Sequence, residues 1–183
     1  MQTTNKQTIE TERLRLQHWD SSDINQIQLL LADPDVMQFS ENGPVNEHDQ
    51  VTWLQRATTQ HPKSALPGCL AIERKEDNQV IGYVSLTQDL ARVQSGDVEI
   101  GFRVLKSAWG RGYATEAAHR LIYATQLSGS FDRIVGIVDP ANRSSVQVLK
   151  KLGMKLIGGI MLDGYTYADH LYAMDVRDIG DFS

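Results

Sequence analysis

The sequence predicts an α/β fold: a mixed, mostly antiparallel sheet with one parallel strand pair in its centre and helices on both faces. Three stretches carry that prediction. Asp97 to Ala124, DVEIGFRVLKSAWGRGYATEAAHRLIYA, reads as strand, glycine turn and helix. Arg133 to Val138 is a short, almost wholly apolar run, as in a strand covered on both faces. Strand, helix, strand at this spacing implies a right-handed crossover, so these two strands should be parallel. Cys69–Leu86 and Lys155–Val176 each read instead as two strands joined by a polar turn, which is antiparallel pairing.

In chain order, Ile9 to Gln17 alternates, with Leu14 and Leu16 on one face and Arg13 and Arg15 on the other. That is a half-buried strand. Ser21 or Ser22 is expected to cap a helix that carries Ile24, Ile27, Leu30 and Leu31 on one side. Asp33-Pro34-Asp35 stops it, and Phe39 to Pro44 is a loop. A second helix is expected from Asn46 or Glu47 to Arg56, with Val51 and Leu54 inward. His61 to Gly68 connects it to the strands Cys69–Arg74 and Val80–Leu86, which turn at Glu76-Asp77-Asn78. The fourth strand follows at Glu99–Leu105, and the helix after it buries Ala114, Ala117, Ala118, Leu121 and Ile122. Asp139-Pro140 ends the fifth strand, and Ser145 to Leu152 is a short helix closed by Gly153. Lys155–Leu162 and Tyr165–Val176 flank Asp163-Gly164, a strong hairpin signal.

At 183 residues the chain is expected to form one domain over 1–183, its core about residues 9–176. The formal net charge of −5 argues against nucleic acid as a direct partner. The single cysteine, Cys69, excludes a disulfide framework within the chain. The polar start, MQTTNKQTIE, has no signal-peptide character, and no run is long enough to span a bilayer, so the expected location is cytoplasmic with no membrane partner. His18, His48, His61, His119 and His170 are scattered without ligand spacing, and no metal is expected.

The junction at Lys106 to Thr115 carries the chemistry. Gly110, Gly112 and Ala114 leave the amides of Gly110 to Thr115 bare at the positive end of a helix. Such an end binds anions, phosphate above all. It is not a Walker loop, because no Gly-Lys-Ser/Thr follows, and Thr115 stands where a dinucleotide fingerprint needs a small residue. Trp109-Gly110-Arg111-Gly112-Tyr113-Ala114 resembles the pyrophosphate loop of the GNAT superfamily of acyl-CoA-dependent N-acetyltransferases, with Trp109 in place of the usual Gln or Arg. That replacement, with Thr115-Glu116-Ala117 following, resembles the branch of ribosomal-protein N-terminal acetyltransferases (RimJ/RimL-like). Thr11-Glu12-Arg13-Leu14-Arg15-Leu16, Asn142-Arg143-Ser144-Ser145 and Leu149-Lys150-Lys151-Leu152-Gly153-Met154 resemble other segments of that branch.

The resemblance implies acetyl transfer from acetyl-CoA, as co-substrate, to a primary amine. Phe102, Arg103 and Val104 are then expected to lend main chain to the pantetheine arm, and the amides of Gly110, Arg111, Gly112, Tyr113, Ala114 and Thr115 to take the pyrophosphate. Arg111 can add charge to a phosphate, and Asn142 is expected to hydrogen-bond the arm. Ser145 is the expected partner of the departing sulfur, although a serine here is also a natural helix cap. The general-acid tyrosine of many GNAT enzymes is absent, since Leu149 stands there; Tyr165 or Tyr167 are substitutes. The fifth strand offers no glutamate, so Glu99 is the expected base, with Asp97 second.

The acceptor follows from basicity. An α-amine titrates near 7.7 to 8.0 and a lysine near 10.4, so at pH 7 about a sixth of the former is neutral and only about one part in several thousand of the latter. Weak base machinery therefore suits a peptide or protein N-terminal amine. The alternatives are a small amine (polyamine, amino acid or amine antibiotic), or a module that binds acyl-CoA without catalysis. The segment Ser40 to Arg56 and the hairpin around Asp163 to Tyr167 are expected to grip the acceptor; monomer and homodimer both remain open.

Overall fold

The structure, a computed structural model, describes residues 8–59, 67–89, 93–126, 131–161 and 166–179. Its strands are β1 (Ile9–Glu10), β2 (Leu14–His18), β3 (Gly68–Arg74), β4 (Gln79–Thr87), β5 (Asp97–Val104), β6 (Arg133–Val138), β7 (Lys155–Ile160) and β8 (Asp169–Asp175). Its helices are α1 (Ile24–Leu31), α2 (Glu47–Thr59), α3 (Tyr113–Gln126) and α4 (Arg143–Lys151). All eight strands form one sheet in the order β1-β2-β3-β4-β5-β6-β8-β7. Only β5 and β6 run parallel, and they lie in its middle. That is the mixed sheet the strand spacing predicts.

Two apolar layers sandwich the sheet. One joins Val98, Ile100 and Ile134 to Ala117, Ala118 and Leu121 of α3 and Leu149 of α4. The other joins Ala71 and Tyr83 to Ile27, Leu30 and Leu31 of α1, Leu54 and Ala57 of α2, and Trp19. Helices therefore cover both faces, α3 and α4 on one, α1 and α2 on the other.

Several expectations are corrected in detail. Ile9 to Gln17 is not one strand. It folds back on itself, with Ile9 opposite Leu16 and Glu10 opposite Arg15. Thr11 closes that turn: its Oγ accepts the Leu14 N–H at 2.8 Å, and its own N–H donates to the Leu14 carbonyl. Neither Ser21 nor Ser22 caps α1; Asp20 caps the short 3-10 turn Ser21–Asp23 that leads into it, its carboxylate accepting the Ser22 N–H while Asp23 accepts the Asp20 N–H. In α2, Val51 is exposed and Gln50 takes the inward position, its amide donating to the Val45 carbonyl. Ala114 is only half-buried, and Tyr113 is the buried residue at the start of α3. The final hairpin is shorter than expected, ending at Ile160 and resuming at Asp169; its turn at Asp163-Gly164, with Tyr165, lies outside the described residues. Among the described residues no helix is long and apolar enough to cross a membrane.

Candidate active site

The parallel pair is short. β5 registers with β6 only over Asp97–Glu99 against Arg133–Val135, but with β4 all the way from Glu99 to Val104. The edge of β5 facing β6 is therefore unpaired beyond Glu99, and the sheet splits there. At the closed end Asp97 and Arg133 form a two-pronged ion pair, at 2.9 and 2.7 Å. The buried Asp97 is thus committed to structure rather than left as a base, and it raises the Arg133 pKa through its hydrogen bonds.

Ladder geometry decides which main-chain groups face the split. The Leu105 N–H donates to the Ile81 carbonyl, so hydrogen-bonded pairs with β4 fall on alternate residues, Leu105 and then Arg103. The main chain of Arg103 is turned to Tyr83 of β4. Those of Phe102 and Val104 are turned toward β6. The Val104 carbonyl accepts the Trp109 indole N–H at 2.8 Å, which pins the half-exposed Trp109 beside the turn.

The turn itself is built on Gly110 and Gly112, both left-handed, with φ of 72° and 81°. Only glycine adopts these angles cheaply. Residues 113 to 115 open α3, where amides have no intrahelical partner. Behind the turn, Glu116 accepts from the Thr11 hydroxyl at 2.5 Å, from the Arg13 N–H at 3.0 Å and from Arg13 Nε at 2.7 Å. Arg13 also donates to the Arg111 carbonyl and lies 4.6 Å over the Tyr113 ring. Burial pushes the Glu116 carboxyl up, but these donors outweigh it and hold it below the ordinary value. Arg111 is exposed. A cleft of about 400 Å³ beside α3 is lined by Thr11, Gly112, Thr115, Glu116, Arg120 and Lys151, among others. Sequence reasoning did not single out Glu116, Arg120 or Lys151 for this cleft, nor Arg13 behind it, because Glu116 meets Thr11 and Arg13 only through the fold.

Two residues singled out beforehand belong to opposite faces of the sheet. Glu99 lies one face away from Val98 and Ile100, with Arg103, on the α1/α2 side; it is half-buried and opposite Thr87 of β4 and Val135 of β6. Ser145 stands in the first turn of α4, on the α3 side, half-buried. Asn142, not Ser145, caps that helix, its Oδ1 accepting the Ser145 N–H at 3.1 Å. The structure thus leaves the Ser145 hydroxyl outside the capping role. Tyr167 donates to Asp139 at 2.6 Å, at the end of β6. Cys69 lies on the Glu99 side, and burial pushes its thiol up to about 12, so it stays protonated and is no nucleophile.

The sheet thus opens along one edge of its parallel pair, with the bare amides of a helix start at its mouth. Residues 13–155 match the family model described as the acetyltransferase (GNAT) domain, and the chain belongs to that family. It is an acetyl-CoA-dependent N-acetyltransferase. Among curated proteins it is 26% identical over 152 residues to the uncharacterized N-acetyltransferase p20 of Bacillus licheniformis, covering 83% of this chain and 84% of that one. Its fold superposes on a GNAT-family acetyltransferase from Bacillus anthracis with a TM-score of 0.81, at 21% identity, over 94% of this chain and 100% of that one. RimL, a ribosomal alpha-N-protein acetyltransferase solved in complex with coenzyme A, gives 0.74 at 19% identity over 92% of this chain and 98% of that one.

Proposed function

We propose that the chain acetylates a peptide or protein N-terminal amine, with Glu99 receiving the amine's proton and Ser145 serving the departing sulfur. The observation that carries this reading is the split beyond Glu99, which opens to Glu99 on one face and to α4 on the other. Acetyl-CoA fits the groups present. The N–H and carbonyl of Phe102 and the N–H of Val104 lie along the open edge with no strand partner among the described residues, as a strand-like amide arm requires. The amides of Gly110, Arg111, Gly112, Tyr113, Ala114 and Thr115 suit its pyrophosphate, and Arg120 and Lys151 add positive charge beside them. The Asn142 amide nitrogen, not used in the cap, is a donor for the arm.

The co-substrate supplies an activated acetyl group; the amine nitrogen bonds to its carbonyl carbon as the carbon–sulfur bond breaks. Glu99, directly or through one water, takes a proton from the incoming ammonium on the α1/α2 side. Ser145 donates a hydrogen bond on the α4 side, where negative charge builds on sulfur. The side chains of β6 offer no carboxylate. A single base at a strand edge suits an amine that is already partly neutral at pH 7, which favours N-terminal amines over lysine. The kinship in fold with RimL agrees with this choice.

The test supplies acetyl-CoA with N-terminal peptides, polyamines, free amino acids and aminoglycosides and follows thiol release. Turnover confined to peptides is expected. Replacing Glu99 by Gln should lower kcat/KM by roughly 10²-fold and flatten its rise with pH. Unchanged turnover in both Glu99→Gln and Ser145→Ala would overturn the two roles. Acetyl-CoA binding without turnover of any amine would point to a non-catalytic module.

A further inference from the structure

Arg103 projects from β5 onto the α1/α2 face, in line with Glu99 and Gly101, and is half-buried. Its Nη2 donates to the Ser40 hydroxyl at 2.5 Å, and Nη1 meets Met37 Sδ at 2.9 Å. Its guanidinium lies 5.8 Å from the Tyr83 ring, which packs on Trp53. Every one of these partners is neutral. Arg13, Arg15, Arg74, Arg133 and Arg177 each meet a carboxylate. Among the described residues, none lies within 4.0 Å of Arg103. A half-buried cation carries a desolvation cost that an anion would offset. The guanidinium has five donors in a planar fork, and Ser40 and Met37 engage two. The rest suit a carboxylate.

We propose that Arg103 receives an anionic group of the acceptor, so that the preferred substrate is a peptide with an acidic side chain close behind its N-terminal amine. This rests on the N-terminal reading above. Spacing sets the distance between amine and acid. Glu99 and Arg103 are four residues apart on one strand face, a rise of roughly 13 Å. A free amino acid holds its carboxylate on the carbon that bears the amine and cannot span that interval. A carboxylate on the second or third residue of an extended peptide can. The net charge of −5 gives an acidic peptide no long-range attraction, so the selection falls to this local cation.

The test uses the full chain, acetyl-CoA and three peptides that begin with serine and carry Asp, Asn or Lys second. The Asp peptide should exceed the Asn peptide at least tenfold in kcat/KM, mainly through KM. Arg103→Ala should bring that ratio close to one whatever it does to the absolute rate. Arg103→Lys should retain part of it, and Arg103→Glu should favour the Lys peptide. A purely structural Arg103, acting through Ser40 and Met37, would lower all three alike and leave the ratio intact; that outcome overturns the proposal. So does a wild-type ratio near one, a measurement that needs no folded variant. Turnover of a free small amine but of no peptide would remove the N-terminal reading itself, whereas equal turnover of acidic and neutral peptides removes only the role of Arg103.

Discussion

The open edge of β5 and its α1/α2 face are built in different ways. Along the edge turned toward β6 the strand offers backbone, the main chain of Phe102 and Val104, followed by a turn shaped by Gly110 and Gly112. On the α1/α2 face it shows side chains held by distant parts of the chain, such as Arg103 against Ser40, 63 residues away. A cofactor common to a whole family can be held by main chain, which any sequence supplies if the fold is right. An acceptor that varies from protein to protein needs side chains, which each sequence must supply anew. This division of labour predicts that backbone changes will damage co-substrate binding and stability, and side-chain changes acceptor choice.

The largest effect should come from Gly82, where β4 crosses behind the open edge. A Cβ there would overlap the Arg103 carbonyl and come 2.8 Å from Val104 Cα. Neither atom belongs to a flexible side chain, so β5 itself must move. Gly82→Ala is expected to cost about 3 kcal/mol in urea denaturation and to weaken acetyl-CoA binding with it. Normal stability would mean that β5 yields easily and that its edge is no rigid template. Next is the closed end of the split. Asp97→Asn leaves Arg133 beside a neutral amide; because the side chain of Arg133 is 35% exposed, the loss is about 2 kcal/mol rather than that of a fully buried pair. If the ion pair only staples the strands, acetyl-CoA affinity should fall while acceptor preference stays.

The same division explains what could be read from the sequence. The parallel pair was legible because strand, helix and strand occur in succession, each with its own period. The turn was legible because Gly110 and Gly112 serve backbone angles that no other residue takes cheaply. The fold-back of β1 onto β2 was not, since Ile9 to Gln17 alternates without a break and the turn depends on the Thr11 side chain and on Glu116, 105 residues further on. The phase of α2 was missed because a hydrophobic rule prefers Val51 to Gln50, yet Gln50 finds the Val45 carbonyl in the interior. That β8 lies between β6 and β7 is set by long-range pairing alone. Glu99 and Ser145 could be chosen by type, but their placement on opposite faces needed the sheet.

A smaller effect isolates the turn. At Gly112 a Cβ has room, its nearest neighbour being Arg13 Nη2 at 3.5 Å, so the penalty of Gly112→Ala is backbone strain at a φ of 81°. That strain is worth about 1 kcal/mol, which should raise the Kd for acetyl-CoA about fivefold in calorimetry. Arg111→Ala, which removes an exposed charge and leaves the amides in place, should matter less. The reverse order would mean that charge rather than backbone binds the pyrophosphate.

The smallest effect concerns the support behind the turn, and its sign is fixed by Glu116. The folded-state pKa of Glu116 lies below the ordinary 4.5: burial raises it, and the Thr11 and Arg13 donors more than reverse that. A depressed carboxylate contributes stability that is fully present above pH 4.5 and lost as pH falls through the folded value. Glu116→Gln cannot charge and cannot answer Arg13, whose side chain is 44% exposed and therefore well screened. The variant should be less stable than the wild type by under about 1 kcal/mol at pH 7. The difference should shrink as the pH drops below 4.5, because protonation then removes from the wild type the charge that the Gln variant never carries. Urea denaturation of the pair across that range measures it. A difference that stays constant with pH would show that Glu116 acts through shape, with Thr11 and the backbone holding the turn and the Arg13 charge contributing nothing.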